Sequence, residues 1–507
     1  MSNKNETLTK NIIFYTFFLL YAVVLLYLSK ELNVWVDEAY TLNTTANTLS
    51  NVIKQSYNFE SQPPIYFILL SLWRCVNSGI LFARLFSLLS IGLASWFLYR
   101  IVLLIFGKES SKWLIVIFLL NPFTVWAGLE IRLYAFLLFL STLTIYLFFR
   151  YYIENKKKLL YYFLIACLVG LYTQYFFVFL ISALAFSALI FKGWKYFYRL
   201  CLHLAPVVIL FLPSLMFFKP IQIGMLQSGL SETTLTERFF VVFQSPKNLL
   251  LALQMAPFEK GIRWAITAIY ILLTGYAYYN CYKKYKNVET VFFKKINFIL
   301  LSVIIVVILL GSFVAIVGID YHDRYLTVGF SLFIILLVVY NSYSILLRNI
   351  TFGIVAIYYF IILLLFYRYP VKHYDYKAIA SYIEKIERKR EPILFYHSTL
   401  SLPFMYYYKG HNNITPLPAK VKFDTTFLRN INDTIELKQS FEKLNKLSDS
   451  YILISDLTEP QYREDINRKM VNNFLTAHFN ITLDSLYYGL SGFHALRIRR
   501  LENKTGK

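Results

Sequence analysis

Several predominantly apolar runs of about 18 or more residues constrain this chain more than any other feature. At about 1.5 Å of rise per residue, such a run crosses the roughly 30 Å hydrocarbon core of a bilayer as a helix. Helix is the form demanded there, because lipid offers the backbone no hydrogen-bond partners. The 507 residues are 57% hydrophobic, with a mean hydropathy of +0.51. That excludes an ordinary water-soluble domain. The first run, 11–28, is followed by no small-residue cleavage site, so it reads as a retained helix and not a signal peptide.

The pattern predicts eleven spans, at 11–28, 80–106, 113–129, 132–150, 159–173, 175–191, 200–218, 262–281, 296–317, 326–347 and 350–367. The apolar stretch Ile65–Val76 is too short to cross and reads as an interfacial helix. A formal net charge of +22 could signal a nucleic-acid binder, but its distribution argues against one. With eleven spans, one set of short loops collects Lys108, Lys112, Arg150, Lys156–Lys158, Lys192, Lys195, Arg199, Lys283, Lys284, Lys286, Lys294, Lys295 and Arg348. Such loops face the cytoplasm, and so does the N-terminus. Counting Ile65–Val76 as a span would scatter the bias. The four cysteines, Cys75, Cys167, Cys201 and Cys281, have neither metal-ligand spacing nor the density of a disulfide scaffold.

Five polar segments fall on the opposite face: 29–79, the turn at Glu130–Tyr134, the turn at Thr173–Tyr175, the loop 219–261 and the stretch Asp320–Tyr325. Within the first, Leu42, Ala46, Leu49 and Ile53 recur at helical spacing and predict an amphipathic helix on the membrane. The expected division is a membrane domain, 1–367, followed by a small extracytoplasmic α/β domain, 368–507. In the latter, strand-like runs Pro392–Tyr396, Tyr451–Ser455 and His494–Ile498 alternate with helical patterns such as Tyr376–Arg388.

Ionisable groups at a membrane boundary are costly, so their clustering calls for chemistry. Trp35-Val36-Asp37-Glu38 places two carboxylates just past the first span. One can act as general base while its neighbour, on another side of any local helix, does something else. Glu130, Arg132 and Tyr134 sit where one helix leaves and the next enters. Arg84 lies near the outer end of its span, and Arg324 follows His322 and Asp323. Each arginine could merely snorkel to the headgroups. Together with the carboxylates, they instead outline a pocket for transfer from a phosphate-linked donor.

The order Trp35-Val36-Asp37-Glu38, Gln62-Pro63-Pro64-Ile65-Tyr66, Ala83-Arg84-Leu85, Asn121-Pro122, Glu130–Arg132–Tyr134 and Arg324-Tyr325-Leu326 resembles the GT-C membrane glycosyltransferases. The likeness is to the family-39, protein-mannosyltransferase-like branch that includes bacterial aminoarabinose transferases. It runs over about residues 10–345. It implies a bacterial inner-membrane enzyme that moves a sugar from a polyprenyl-phosphate donor to a glycan, lipid or protein acceptor, with no metal or other cofactor implied. Asp37 would be the base with Glu38 beside it. Arg84, Glu130, Arg132, Tyr134, Arg324 and Tyr325 would bind the donor and its phosphate. Glu60, Gln62, Gln174, His322 and Asp323 would complete the pocket. Relatives often carry a basic residue before the Pro pair and a His in the later turn, where this chain has Gln62 and Gln174. A transporter or flippase of a lipid-linked glycan is the competing reading. It calls for ionisable residues at mid-span and inverted repeats, and the sequence has its charges at one face instead.

Overall fold

Asn121 and Pro122 divide one of the expected spans. In the computed structural model, helix α6 (Lys108–Leu120) ends there and α7 (Pro122–Leu129) begins. Proline is preorganised for the first helical position, and the Asn121 carboxamide caps the new helix by accepting from the Phe123 amide at 2.9 Å. The structure describes residues 2–106, 108–154, 156–217, 234–256, 258–285, 291–318, 321–339, 345–424, 434–445, 448–456, 470–489 and 495–504.

The other expected spans correspond to α1 (Ser2–Glu31), α5 (Ile80–Phe106), α8 (Tyr134–Glu154), α9 (Lys158–Leu171), α10 (Phe177–Lys192), α11 (Trp194–Leu215), α13 (Lys260–Tyr285), α14 (Val291–Val317), α15 (Thr327–Val339) and α16 (Ile345–Phe366). Among the described residues, six of these are long and apolar enough to cross a membrane, while α9 and α10 are shorter apolar helices. Residues such as Ile190, Ile209, Leu272 and Ile354 point outward without protein cover, as lipid-bathed side chains do.

Between α1 and α5 the chain makes three short helices: α2 (Val36–Thr44), α3 (Leu49–Asn58) and α4 (Ile65–Arg74). The single amphipathic helix expected from Leu42 to Ile53 is therefore two. Leu42 is buried on α2, whereas Leu49 and Ile53 are exposed on α3. The break follows from Asn43 and Thr45, whose side chains bond back to the Ala39 and Thr41 carbonyls and favour a helix end.

The expected loop 219–261 contains a helix that the apolar pattern did not show, α12 (Leu235–Leu250). Thr234 and Glu237 form a reciprocal capping box at its start. That Thr-x-x-Glu signal was present in the sequence. Lys219–Thr233 of that loop, together with Asp320, lie outside the described residues.

The C-terminal region forms a five-stranded sheet in the order β2-β1-β3-β5-β4. Strands β1 (Ile393–Tyr396), β2 (Ile414–Leu417) and β3 (Ser450–Asp456) are parallel, with β5 (Ala495–Asn503) antiparallel to β3 and β4 (Phe479–Tyr488) antiparallel to β5. Two of these strands, β2 and β4, were not anticipated. Strand β4 begins at the buried Phe479 and then alternates exposed and half-buried residues, the period of a partly covered strand. One face of the sheet packs around Tyr376, Ile379 and Ile383 of α17 (Tyr376–Ile386). That core also takes in Val36, the first residue of α2. The sheet region is thus joined to the helix that carries the paired carboxylates.

Candidate active site

Helix α2 starts at Val36, so Asp37 and Glu38 occupy its first turn, where the helix dipole favours negative charge. Successive residues on a helix diverge by about 100°, and the two carboxylates go separate ways. Glu38 turns inward and Asp37 turns to the rim.

Glu38 is fully enclosed. Arg84 from α5 reaches it with Nη2 at 2.9 Å and Nε at 3.3 Å, the Ile131 amide donates to it at 2.9 Å, and Lys372 Nζ donates at 2.7 Å. Arg84 is likewise at zero exposure. Its remaining donors go to the Ser29 and Leu32 carbonyls, both at 2.7 Å, and to the Asn33 carbonyl at 2.9 Å. Those contacts leave Arg84 no free donor and no solvent access, and they fasten the end of α1 and the start of α2 to α5. Glu38 is enclosed in the same way, its carboxylate held by Arg84, Lys372 and the Ile131 amide.

Glu130, just past the end of α7, is also inside. Its carboxylate accepts from Trp35 Nε1 at 2.5 Å and meets Lys372 Nζ at 3.1 Å, while its carbonyl accepts from Ser87 at 2.6 Å. Burial pushes the Glu130 carboxyl upward, and Lys372 opposes that. Burial acts the same way on Glu38, but Arg84 and Lys372 together hold it below the usual glutamate value. Removing one partner from a buried pair of this kind typically costs about 3–5 kcal/mol.

Lys372 was missed by the sequence reading. It lies in the connection after α16, inside the stretch assigned to the soluble domain. The connection is bracketed by Asn33, whose side chain donates to the Lys372 and Tyr374 carbonyls at 3.0 and 2.9 Å and accepts from the Lys372 amide at 2.7 Å. Between them His373 holds a left-handed backbone, φ 51°, and stacks on Trp35 with centroids 4.4 Å apart. A left-handed non-glycine residue costs about 1–3 kcal/mol, so its neighbours impose it. The other side is closed by Gly489, where a Cβ would lie 1.7 Å from the His373 carbonyl oxygen. Only glycine fits that approach.

Asp37 is different. Its side chain is 21% exposed and meets Arg324 Nη1 at 3.2 Å, with Arg324 itself 26% exposed. Burial raises the Asp37 carboxyl, but Arg132, Arg324 and His373 outweigh it and hold the group below its ordinary value. The Arg324 guanidinium lies 5.8 Å from the Tyr134 ring centre, and its Nε has no hydrogen-bond partner. Arg132 donates to Glu60 at 2.6 Å, to Thr41 Oγ1 at 2.8 Å and to the Asp37 carbonyl at 3.3 Å, and its Nε is also unpartnered. Burial raises the Glu60 carboxyl, with Arg132 acting against it.

The remaining expected residues flank this cluster. The segment carrying Gln62 meets the turn carrying Gln174 through the Ile65 amide, which donates to the Tyr172 carbonyl at 3.0 Å. Both glutamine Oε1 atoms are buried without a partner. Asp323 turns away from the arginine cluster and accepts from Ser245, Asn248 and Gln254. It pins the short 3-10 turn Asp323–Leu326, and hence Arg324, to α12. Tyr325 packs against Phe176 at 5.1 Å, and His322 stands against Tyr325 at 5.7 Å. Among the described residues, no group of three or more His, Cys, Asp or Glu side chains is arranged to hold a metal ion.

Residues 61–217 match the family model described as dolichyl-phosphate-mannose-protein mannosyltransferase. The matched segment contains Arg84, Glu130, Arg132 and Tyr134, so the likeness read in the sequence to that branch of GT-C membrane glycosyltransferases holds there. Asp37, Glu38, Glu60, Arg324 and Lys372 lie outside it. No curated protein sequence matches the chain. Two crystal structures of ArnT from Cupriavidus metallidurans align over 97% of this chain and 98% of theirs. The apo form aligns with 11% identity and a TM-score of 0.44, and the form bound to undecaprenyl phosphate with 14% and 0.45.

Proposed function

We propose that this chain, similar over residues 61–217 to the protein-mannosyltransferase family, is an inner-membrane glycosyltransferase that uses a polyprenyl-phosphate sugar on the extracytoplasmic face. The observation that carries the reading is the partly exposed Asp37–Arg324 pair, set beside a closed set of buried charges.

In the transfer, an acceptor hydroxyl attacks the anomeric carbon of the donor. The new bond joins acceptor oxygen to sugar, and the bond from sugar to phosphate oxygen breaks. Asp37 takes the hydroxyl proton, and polyprenyl phosphate leaves with the electron pair. Arg324 and Arg132 meet the negative charge that develops on that phosphate. Their planar forks suit a phosphate, and each still has an unpartnered Nε.

Sharing Arg324 between Asp37 and the phosphate has a chemical consequence. In the free protein the arginine weakens Asp37 as a base by stabilising its ionised form. A donor phosphate that draws Arg324 to itself relieves Asp37 of that partner and makes it more basic. Activation of the base is thus tied to arrival of the donor. Glu38, Arg84 and Glu130 hold α2 in place and exchange no proton in this scheme. No divalent cation is assigned a part.

The test is mass spectrometry of lipids and glycans from a deletion strain. Loss of one sugar from a glycan, lipid or protein, with build-up of its polyprenyl-phosphate form, is the expected result. Accumulation of a complete lipid-linked glycan that was never exported would replace the transferase by a flippase.

A further inference from the structure

We propose that Lys372 is a positioning residue: it balances the buried charge of Glu38 and Glu130 and thereby fixes the segment 33–38 that carries Asp37. Its importance for turnover rests on the glycosyltransfer reading above; the charge balance does not.

Four charged groups from four separate stretches meet in this enclosure: Glu38, Arg84, Glu130 and Lys372. Two are negative and two positive, so the set is neutral as a unit. Lys372 Nζ touches both carboxylates and also donates to the Leu129 carbonyl at 2.8 Å. Its side chain is 8% exposed. Arg84 cannot replace it, because its donors are committed to Glu38 and to three backbone carbonyls. Without the lysine, two carboxylates out of water would share one cation, and the cheapest relief is for one of them to take up a proton.

The connection is held on both sides of the lysine. Asn33 holds it from the side of α2, Gly489 lets the end of β4 close over His373, and the Tyr374 hydroxyl donates to the buried Asp456 of β3. The C-terminal sheet is in this way anchored to the charge that completes the site.

The other ionisable groups facing the enclosure are the phenols of Tyr66, Tyr134, Tyr367, Tyr406 and Tyr407, while His373 faces Trp35 and Asp37. Phenols titrate at about pH 10 or above and His373 is common to all the proteins compared, so differences between them from pH 5.5 to 8 report the carboxylates.

Full-length protein in detergent is compared with Lys372→Met, Lys372→Arg and Lys372→Met/Glu130→Gln. Two quantities are read across that pH range: the melting temperature, and the rate of sugar release from an undecaprenyl-phosphate sugar. Lys372→Met is expected to melt lower at pH 8 and to recover as the pH falls. A carboxyl with a raised native pKa stabilises the fold below its unfolded value and loses that contribution as pH rises through the native one. The double variant restores neutrality, since a glutamine at 130 can still accept from Trp35, and its melting profile returns to the wild-type slope. Turnover should fall about 10²-fold in Lys372→Met with KM little changed, because misplaced groups lose rate more than binding. The double variant and Lys372→Arg should regain most of it. Equal losses in Lys372→Met and the double variant, each with the wild-type pH slope, would show a mere structural tie and overturn the proposal. The melting profiles answer even if wild-type protein moves no sugar, an outcome that counts against the transferase reading alone.

Discussion

Asp37 and Glu38 are adjacent in sequence and opposite in circumstance. Glu38 sits at zero exposure with an arginine, a lysine and a backbone amide around it. Asp37 sits at 21% exposure with a single guanidinium at 3.2 Å. The closed region can only hold, since every N–H of Arg84 and of the Lys372 ammonium is committed. The open region can react, since its arginine has a donor to spare and its carboxylate has room for a proton. The proposed transfer uses the place where bonding was left incomplete, beside one where it was finished.

The comparison breaks most sharply at Asp37. Asp37→Asn should cut turnover by about 10²–10⁴-fold, the usual cost of a lost general base, while the melting temperature stays near wild type. Turnover like wild type would make the exposed carboxylate a bystander. In unsubstituted protein, the acid limb of kcat/KM should lie below the ordinary aspartate value. The native Asp37 pKa is lowered, so the base form persists and fails only as pH falls through that lowered value.

Arg84→Met tests the closed half. It leaves Glu38 with Lys372 alone and should cost about 3–5 kcal/mol of stability, read as a large drop in melting temperature or in recovered protein. Arg324→Met, in the open half, should leave melting almost unchanged. Equal destabilisation by both would erase the distinction between the regions.

A smaller effect sharpens it. Arg324→Lys and Arg132→Lys keep the charge but lose the fork. Each should lower donor turnover about tenfold, equivalent to one charged hydrogen bond of about 1.5 kcal/mol. Arg100→Lys, on α5, where the guanidinium donates to the Tyr146 hydroxyl at 3.4 Å and lies 6.0 Å from the Trp96 ring centre, is the control and should do nothing measurable. Near-wild-type rates for both site variants would return these arginines to headgroup anchors.

Much of this was legible in the chain. Hydropathy placed the helices because lipid imposes a length, and Asp37, Arg132 and Arg324 stood out because charge at a membrane boundary is costly. The roles were harder to read. Arg84 and Arg324 are the same residue type at the ends of apolar runs, and only the carbonyls of Ser29, Leu32 and Asn33 distinguish the enclosed arginine from the partly open one. Lys372 was invisible for another reason. It sits among ordinary polar residues, and no local pattern reports a contact across 334 positions. Strand β2 escaped for lack of length: four residues with a proline carry too little periodicity to read.

The placement of Lys372 also sets a timetable. Glu38 is synthesised 334 residues ahead of the lysine that balances it, and Leu129, the lysine's backbone acceptor, 243 residues ahead. At about 5–20 residues per second, the ribosome takes from roughly a quarter of a minute to about a minute to cover that distance. Throughout that interval the growing chain carries a carboxylate at the membrane boundary with its final partner still unmade. The lysine arrives only after the last apolar helix, so a chain interrupted before residue 372 should insert into the membrane with Glu38 and Glu130 unbalanced.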